Sequence, residues 1–401
     1  TAPWLRILPV VFGVLGVWTT WVVARRLLGP VAAGTAAFLV TISPWHLYAS
    51  DFARYYALLY LLATLAVGEL LEASRDDRPA RYLRGALLLI VGTLTHPTFC
   101  FPFAGIALGL SLCTPTGQIG WRWPSRNAWF CLWLPFLAAL GIEWAVLHLT
   151  GSSQALSNFG GRGVTATARL VPAMIEWMTP TVFVAACLGA FAAFRNGRPD
   201  SRRLALAVTC GTGSTLVLLV VSATRTDVYA DYGMSMLPLM FLGAGAFVEW
   251  AAGPMQQGPR WRAVAIALLL GAGIAPSTVS HLIDGTRFDY RPAFTALASD
   301  ATHLVLTWPI ALQRAYAPTL RAEELVPDSA RLNSTLTREH ELWAVASFHR
   351  NGVANDDSGR LEAWLNAHCR PWQAFAKPRF DYREYRVVIY RCRASDYQPG
   401  S

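Results

Sequence analysis

Residues 5–58 read LRILPVVFGVLGVWTTWVVARRLLGPVAAGTAAFLVTISPWHLYASDFARYYAL. Two apolar runs, 5–24 and 31–48, flank the pair Arg25-Arg26, and a third run starts inside the polar and aromatic stretch SDFARYYAL. A helix needs about 20 mostly apolar residues to cross the hydrocarbon core of a bilayer. Further runs of that kind fall at 55–73, 128–149, 173–194, 204–223, 234–252 and 263–281. The stretch 85–112 is long for one span and carries His96-Pro97 in its middle. Proline disfavours helix at the residue before it, so this stretch is expected to fold as a hairpin of two short helices. The expectation is a polytopic α-helical bundle of about ten transmembrane helices.

Composition supports that reading. The chain of 401 residues is 54% hydrophobic and only 15% charged, against about 25% charged in a soluble globular protein. The net charge of +9 is almost wholly arginine, because Lys377 is the single lysine. Such basicity on a soluble chain would point to nucleic acid. Here the arginines sit in short loops between apolar runs, which is the signature of a membrane protein. No CxxC or other metal-ligand spacing occurs.

The loop charges also set the topology. Arg25 and Arg26, then Arg75, Arg78, Arg81 and Arg84, then Arg122 and Arg126 occupy alternate loops, continued by Arg195, Arg198, Arg202 and Arg203 and by Arg260 and Arg262. A hairpin at 85–112 puts all of them on one side, which the positive-inside rule makes cytoplasmic. A single helix there would turn the later clusters outward. The hairpin topology places the loops near 49–54, 150–172 and 224–233 outside, together with everything after the last span.

Residues 282–401 have the composition of an ordinary soluble domain, so a boundary is expected near His281. This C-terminal domain reads as α/β. Helices are expected near 291–299 and 358–368, with strands at His303–Trp308, Leu342–Phe348 and Tyr385–Arg391. Its only cysteines are Cys369 and Cys392. In an oxidising compartment they could pair, and two unpaired thiols fit the sequence equally well.

Chemistry concentrates in SPWHLYASDFARYYAL, residues 43–58. An Asp and an Arg at the membrane edge are costly and are usually kept for pairing or for handling charge. From the residues alone, an aromatic interfacial belt with Asp51 paired to Arg54 explains the stretch as well as a functional site does.

The segment Leu5–Leu58 resembles the corresponding region of bacterial GT-C membrane glycosyltransferases, the relatives of the protein O-mannosyltransferases and of the aminoarabinose transferase that modifies lipid A. Its two apolar runs are similar to the second and third spans of that family. SDFARYYAL resembles the family's acidic-Ala-Arg-aromatic-Tyr-Ala-Leu motif. Thr95-His96-Pro97 and Phe288-Asp289-Tyr290-Arg291-Pro292 add weaker similarity in the same order. Where many relatives carry Glu, this chain has Phe52, with the acid one place earlier at Asp51. The family's first span and first large outer loop, which bears its best-known catalytic acid, have no counterpart before Thr1. The start, with no Met and no signal peptide, reads as truncated or processed.

The resemblance implies a polyprenyl-phosphate sugar donor, attacked at its anomeric carbon by an acceptor in a single inverting displacement. The acceptor (protein, lipid or glycan) then needs a carboxylate, and Asp51 is the implied catalytic residue, as base, orienter or metal ligand. The departing lipid phosphate needs cationic stabilisation. Arg54 is its implied contact, because guanidinium matches phosphate oxygens bidentately. A divalent metal, Mg2+ or Mn2+, could share that role, with Asp51 as its ligand. Arg162 and Arg169, in the long Gly/Ser-rich loop 151–172, are further phosphate-binding candidates. His46, Tyr55, His96, Glu143 and Glu176 are candidates for lining the substrate cavity. The implied location is the inner cell membrane, multi-pass, with the C-terminal domain periplasmic. Two rival classes remain at this stage: a transporter or flippase for a polar or lipid-linked solute, and a non-catalytic membrane scaffold.

Overall fold

In the computed structural model, the described residues are 6–51, 54–113, 118–121, 123–149, 170–196, 198–224, 228, 230–253, 260–284, 290–298, 302–349, 352–353, 359–376 and 386–396. Two compact units divide the chain, Thr1–Val279 and Ser280–Ser401.

The first unit is helical, and proline punctuates it. Its helices are α1 (Ile7–Leu27), α2 (Pro30–Ile42), α3 (Pro44–Asp51), α4 (Tyr56–Asp76) and α5 (Pro79–Thr95). A 3₁₀ turn (Pro97–Cys100) leads into α6 (Phe101–Ser111). The short α7 (Arg126–Ala128) runs through a π-helical turn (Trp129–Trp133) into α8 (Leu134–Leu149). Next come α9 (Leu170–Met178), α10 (Pro180–Arg195) and α11 (Pro199–Ala223). A second 3₁₀ segment (Ala230–Met236) precedes α12 (Leu237–Ala252), and α13 (Arg260–Asp284) closes the series. Helices α2, α3, α5, α10 and α11 begin on a proline, which lacks the N–H that a first turn leaves unpaired.

Two expected spans turn out to be broken. The run 31–48 stops at Ile42, because Pro44 forces Ser43 into extended backbone (ψ 122°), and α3 starts afresh. The run 173–194 breaks before Pro180, where Thr179 takes φ 69° and α9 meets α10 at 90°. Among the described residues, five helices are long and apolar enough to cross a membrane alone, or six with α9 and α10 as one bent span. Large apolar side chains such as Leu8, Val14, Trp18, Val217, Val221 and Leu269 stand exposed on them. A soluble surface does not tolerate such a belt, whereas lipid does.

The stretch 85–112 is a hairpin. Ser111, at the end of α6, lines the same cavity as Tyr82 near the start of α5 and Ser74 near the end of α4. The Arg-bearing segments accordingly gather at one end of the unit. There Glu72 is buried against Arg81, with Arg26 at 3.6 Å, and Arg84 meets Glu69 at 3.1 Å. Arg203 meets Asp200 at 2.8 Å beside the same cluster. Asn127, next to Arg126, donates to the carbonyl of Asp77 at 2.9 Å, and Gly29 N–H donates to Glu249 at 2.9 Å. Helix α13 also begins at this end, because its late residue Thr278 donates to the carbonyl of Ile42 at the far end of α2. A buried carboxylate is tolerable only when paired, which explains two arginines on Glu72.

Helices approach closely where glycine removes the side chain. A Cβ on Gly105 would run into the carbonyl of Cys210, and one on Gly189 into that of Gly243. Small residues at such crossings are the usual device for packing helices in lipid, where no water is available to drive association.

The second unit carries α14 (Arg291–Leu297), β1 (Leu304–Thr307), α15 (Ile310–Tyr316), β2 (Ala322–Glu324), α16 (Ser329–Glu339), β3 (Glu341–His349), β4 (Gly352–Val353), α17 (Arg360–His368), β5 (Cys369–Ala376) and β6 (Arg386–Arg393). The sheet order is β2-β1-β3-β6-β5, with β4 paired to β3. Strand β1 is parallel to both neighbours, while β3, β6 and β5 pair antiparallel. Alternation along β3 feeds two cores: Leu342, Ala344, Ala346 and Phe348 on one face, Trp343 and Val345 on the other. Cys369 and Cys392 face each other across β5 and β6 and are disulfide-bonded.

Candidate active site

The end of the first unit opposite the arginine clusters is where the motif residues come together. Helix α1 starts there and α3 ends there, so Arg6 meets Asp51 at 2.9 Å (Nη1 to Oδ1) across 45 residues of sequence. The two side chains are 46% and 62% exposed, a solvated ion pair at the rim rather than a buried one. Arg54 is exposed in the corner between α3 and α4.

Tyr55 leads from that corner into a second group. Its ring stacks on His96 (5.3 Å between centroids, 29°) and lies 4.8 Å from Tyr56. His96 also packs at 4.6 Å against Tyr232, from the 3₁₀ segment before α12. His96 is placed by the helix break that Pro97 causes: α5 ends, residue 96 turns extended (φ −160°, ψ 126°), and its ring swings against Thr98. Nδ1 of His96 lies 2.8 Å from the hydroxyl of Thr98, and that hydroxyl donates to the carbonyl of Tyr232 at 2.9 Å. Three segments distant in sequence are thereby tied at one spot: the α3–α4 corner, the α5–α6 break and the turn before α12.

Helix α9 packs on the same region, with Trp177 lying 5.7 Å from Trp45 and 4.7 Å from Tyr48 of α3. Glu176 is exposed on the face of α9 away from that contact. His46 is enclosed instead. It is 3% exposed, its ring edge meets Tyr60 at 4.8 Å, and among the described residues neither ring nitrogen has a hydrogen-bond partner. The polar seam around it continues through Tyr60, whose hydroxyl lies 2.7 Å from that of Thr20. Arg162 and Arg169 lie outside the described residues, as do Phe288 and Asp289, and of Glu143 only the backbone, in α8, is described. Tyr290 is a packing residue of the second unit: burial pushes its phenol up to about 12, against a hydrogen bond with Ser347, and its hydroxyl donates to the carbonyl of Trp308.

Sequence reasoning missed Arg6, Thr98 and Tyr232. Arg6 had a signal, since it is the one arginine at the wrong end of the first apolar run. Thr98 and Tyr232 act through a hydroxyl and a main-chain carbonyl, which leave no charge pattern. As for a metal, no three His, Cys, Asp or Glu converge among the described residues. The carboxylate of Asp51 meets the Arg6 guanidinium.

No family model matches the sequence, and no curated protein matches it. Solved structures do match. ArnT from Cupriavidus metallidurans in the apo state superposes with a TM-score of 0.51 at 15% identity, covering 98% of this chain and 84% of that one. The same protein bound to undecaprenyl phosphate gives 0.46 at 14% identity, covering 98% and 85%. The oligosaccharyltransferase of Archaeoglobus fulgidus, in complex with Zn and sulfate, gives 0.46 at 10% identity, covering 95% and 61%. The chain therefore shares the fold of ArnT from Cupriavidus metallidurans.

Proposed function

We propose that the chain is an integral membrane glycosyltransferase that moves a sugar from a polyprenyl phosphate to an acceptor outside the cytoplasm, with inversion at the anomeric carbon. The observation that carries this is the gathering of Asp51, Arg6, Arg54, Tyr55 and His96 at the end opposite the arginine loops. Positive loops stay in the cytoplasm, so the cluster faces outward. Residues 1–281 form the transferase domain in this reading, and residues 282–401 an extracytoplasmic domain. A disulfide between Cys369 and Cys392 suits that side of the inner membrane.

Chemically, the acceptor oxygen or nitrogen bonds to the anomeric carbon as the bond to the phosphate oxygen breaks. The electron pair leaves with the polyprenyl phosphate. Arg54 faces that growing charge, with Arg162 and Arg169 of the 151–172 loop as further contacts, because a guanidinium offers phosphate two parallel donors. Asp51, with Arg6 on its Oδ1, supplies the carboxylate that engages the acceptor. Tyr55, next to Arg54, brings His96 to the same end.

The test is label transfer by membranes holding the full chain, wild type against Asp51→Asn. Transfer by wild type and its loss in the variant support the reading, and equal transfer by both removes Asp51 from the site. The break between α9 and α10 also resembles the interrupted helices of transporters. Movement of the donor lipid across the bilayer without sugar transfer would favour that class.

A further inference from the structure

We propose that a cleft at the arginine end of the first unit holds the phosphate of an anionic phospholipid, and that this lipid ties α1, α4 and α11 together there; the assignment does not depend on the transferase reading. Guanidinium groups from three helices line the cleft. They belong to Arg26 in the last turn of α1, Arg75 in the last turn of α4 and Arg203 near the start of α11. The carboxylates in its lining are Glu72 and Asp200.

A count of donors shows that these carboxylates do not satisfy the arginines. A guanidinium carries five N–H groups and no acceptor. Arg203, with a 7% exposed side chain, donates to Oδ1 of Asp200 at 2.8 Å. Glu72 is taken by Arg81, which does not line the cleft. Arg26 comes no nearer to Glu72 than 3.6 Å, an ion pair too long to be a hydrogen bond. Arg75 is exposed and meets no carboxylate among the described residues. Among those residues, Arg26 and Arg75 therefore bring guanidinium donors to one cleft with no acceptor for them. Like charges that share a cleft repel one another unless an anion lies between them.

Shape and lining select the anion. The cleft encloses about 20 Å³, against about 10–15 Å³ for a single water. It admits the oxygen edge of a phosphate, which a guanidinium grips through two parallel donors, and not a sugar or a base. Leu27, Leu71 and Leu204 complete the lining. A free anion gains nothing from these side chains, whereas the glycerol and first methylenes of a phospholipid rest on them. Basic pockets between spans suit anionic headgroups on the side that positive loops occupy. A choline headgroup would bring its own cation to the arginines, so the cleft favours a lipid with net negative charge.

Arg75→Gln is the discriminating variant, because it breaks no ion pair in the protein and lies at the end opposite Asp51. The full chain is reconstituted in nanodiscs of phosphatidylcholine, with and without phosphatidylglycerol, and its melting temperature is measured in each. Phosphatidylglycerol well above its Kd should raise the wild-type midpoint by about 5 °C. Arg75→Gln should melt with wild type in phosphatidylcholine and lose most of that rise. Arg84→Gln removes an arginine of the same end that does not line the cleft, and should keep the rise. Phosphatidylglycerol that stays bound through detergent washing, counted by mass spectrometry, should fall in Arg75→Gln alone. No rise in wild type, or a full rise in Arg75→Gln, overturns the assignment. Equal losses in Arg75→Gln and Arg84→Gln also overturn it, since they mark attraction to surface charge at large. Inorganic phosphate that stabilises wild type in phosphatidylcholine as much as phosphatidylglycerol does makes the cleft a small-anion site and overturns the lipid.

Discussion

Arg6 and Asp51 meet at 2.9 Å between the residue that precedes α1 and the last residue of α3, joining two helices at the end of the bundle away from its other clustered arginines. Both side chains are well exposed. A pair of that kind contributes at most about 1 kcal/mol to stability. If its purpose is to set the carboxylate toward an acceptor, activity should feel its loss far more than folding does. Arg6→Gln is expected to leave the melting temperature nearly unchanged and to lower transfer by about 10²-fold, the scale of a lost orientation. Thermal unfolding in detergent beside a transfer assay checks both halves.

Charge alone should not satisfy position 54. Lysine keeps the charge of Arg54 but lacks the planar fork that takes two phosphate oxygens. Arg54→Lys should lose most of the transfer and raise KM for the lipid donor. Near-normal turnover in that variant would make Arg54 an interfacial anchor.

The opposite end offers a stability test. Glu72 is 5% exposed and is held by Arg81 and Arg26. Removing one partner of a buried pair leaves the other uncompensated, at a cost of about 3–5 kcal/mol. Arg81→Ala leaves Glu72 buried with only Arg26 at 3.6 Å and should lower the melting temperature sharply, or prevent accumulation in the membrane, whereas Arg26→Ala at the exposed partner should do neither. Equal, small effects from both would contradict the burial argument.

Helix positions were legible because apolar runs of span length leave little choice, and every expected segment is helical. What hydropathy could not show was where a run is interrupted. An average over about 20 residues passes over Ser43-Pro44 and Thr179-Pro180, although proline itself marks both breaks. The hairpin at 85–112 was legible through charge, since only that topology brings the arginine loops to one end. In the second unit, α16 was missed because its sequence SARLNSTLTRE is mostly polar, burying only Leu332, Thr335 and Leu336. Strand β5 was missed because an edge strand with a bulge at Pro371 carries little alternation. In the site, Asp51, Arg54, Tyr55 and His96 were named from sequence. Their partners Arg6, Thr98 and Tyr232 were not, because pairing across 45 or 134 residues is a property of packing.

The disulfide gives a test of the second unit that does not depend on catalysis. Cys369 and Cys392 are 23 residues apart, and closing a loop of that length stabilises by about 3 kcal/mol on the chain-entropy account. Cys392→Ser should lower the melting temperature of this unit, and in protein taken from intact cells Cys369 should become alkylatable only in that variant. Alkylation of both thiols in unreduced wild type would contradict the pairing and the oxidising side it implies.

Sidedness is checked by single added cysteines. Ser334, exposed on α16, and Arg198, exposed before α11, should fall on opposite sides of the bilayer. In intact spheroplasts an impermeant thiol reagent should label Ser334→Cys above the unsubstituted background, and Arg198→Cys only after lysis. The reverse pattern would invert the topology.

The central claim, sugar transfer from a lipid-linked donor on the outer face, is tested most directly with sealed vesicles of known orientation. Vesicles holding the full chain are given a panel of labelled polyprenyl-phosphate sugars, and the anomeric configuration of any product is read by NMR. The account predicts transfer from at least one donor, only where that donor and acceptor meet the end bearing Asp51 and His96, with inverted configuration. Transfer confined to the arginine-rich face, or retained configuration, would contradict it, as would no transfer from any donor.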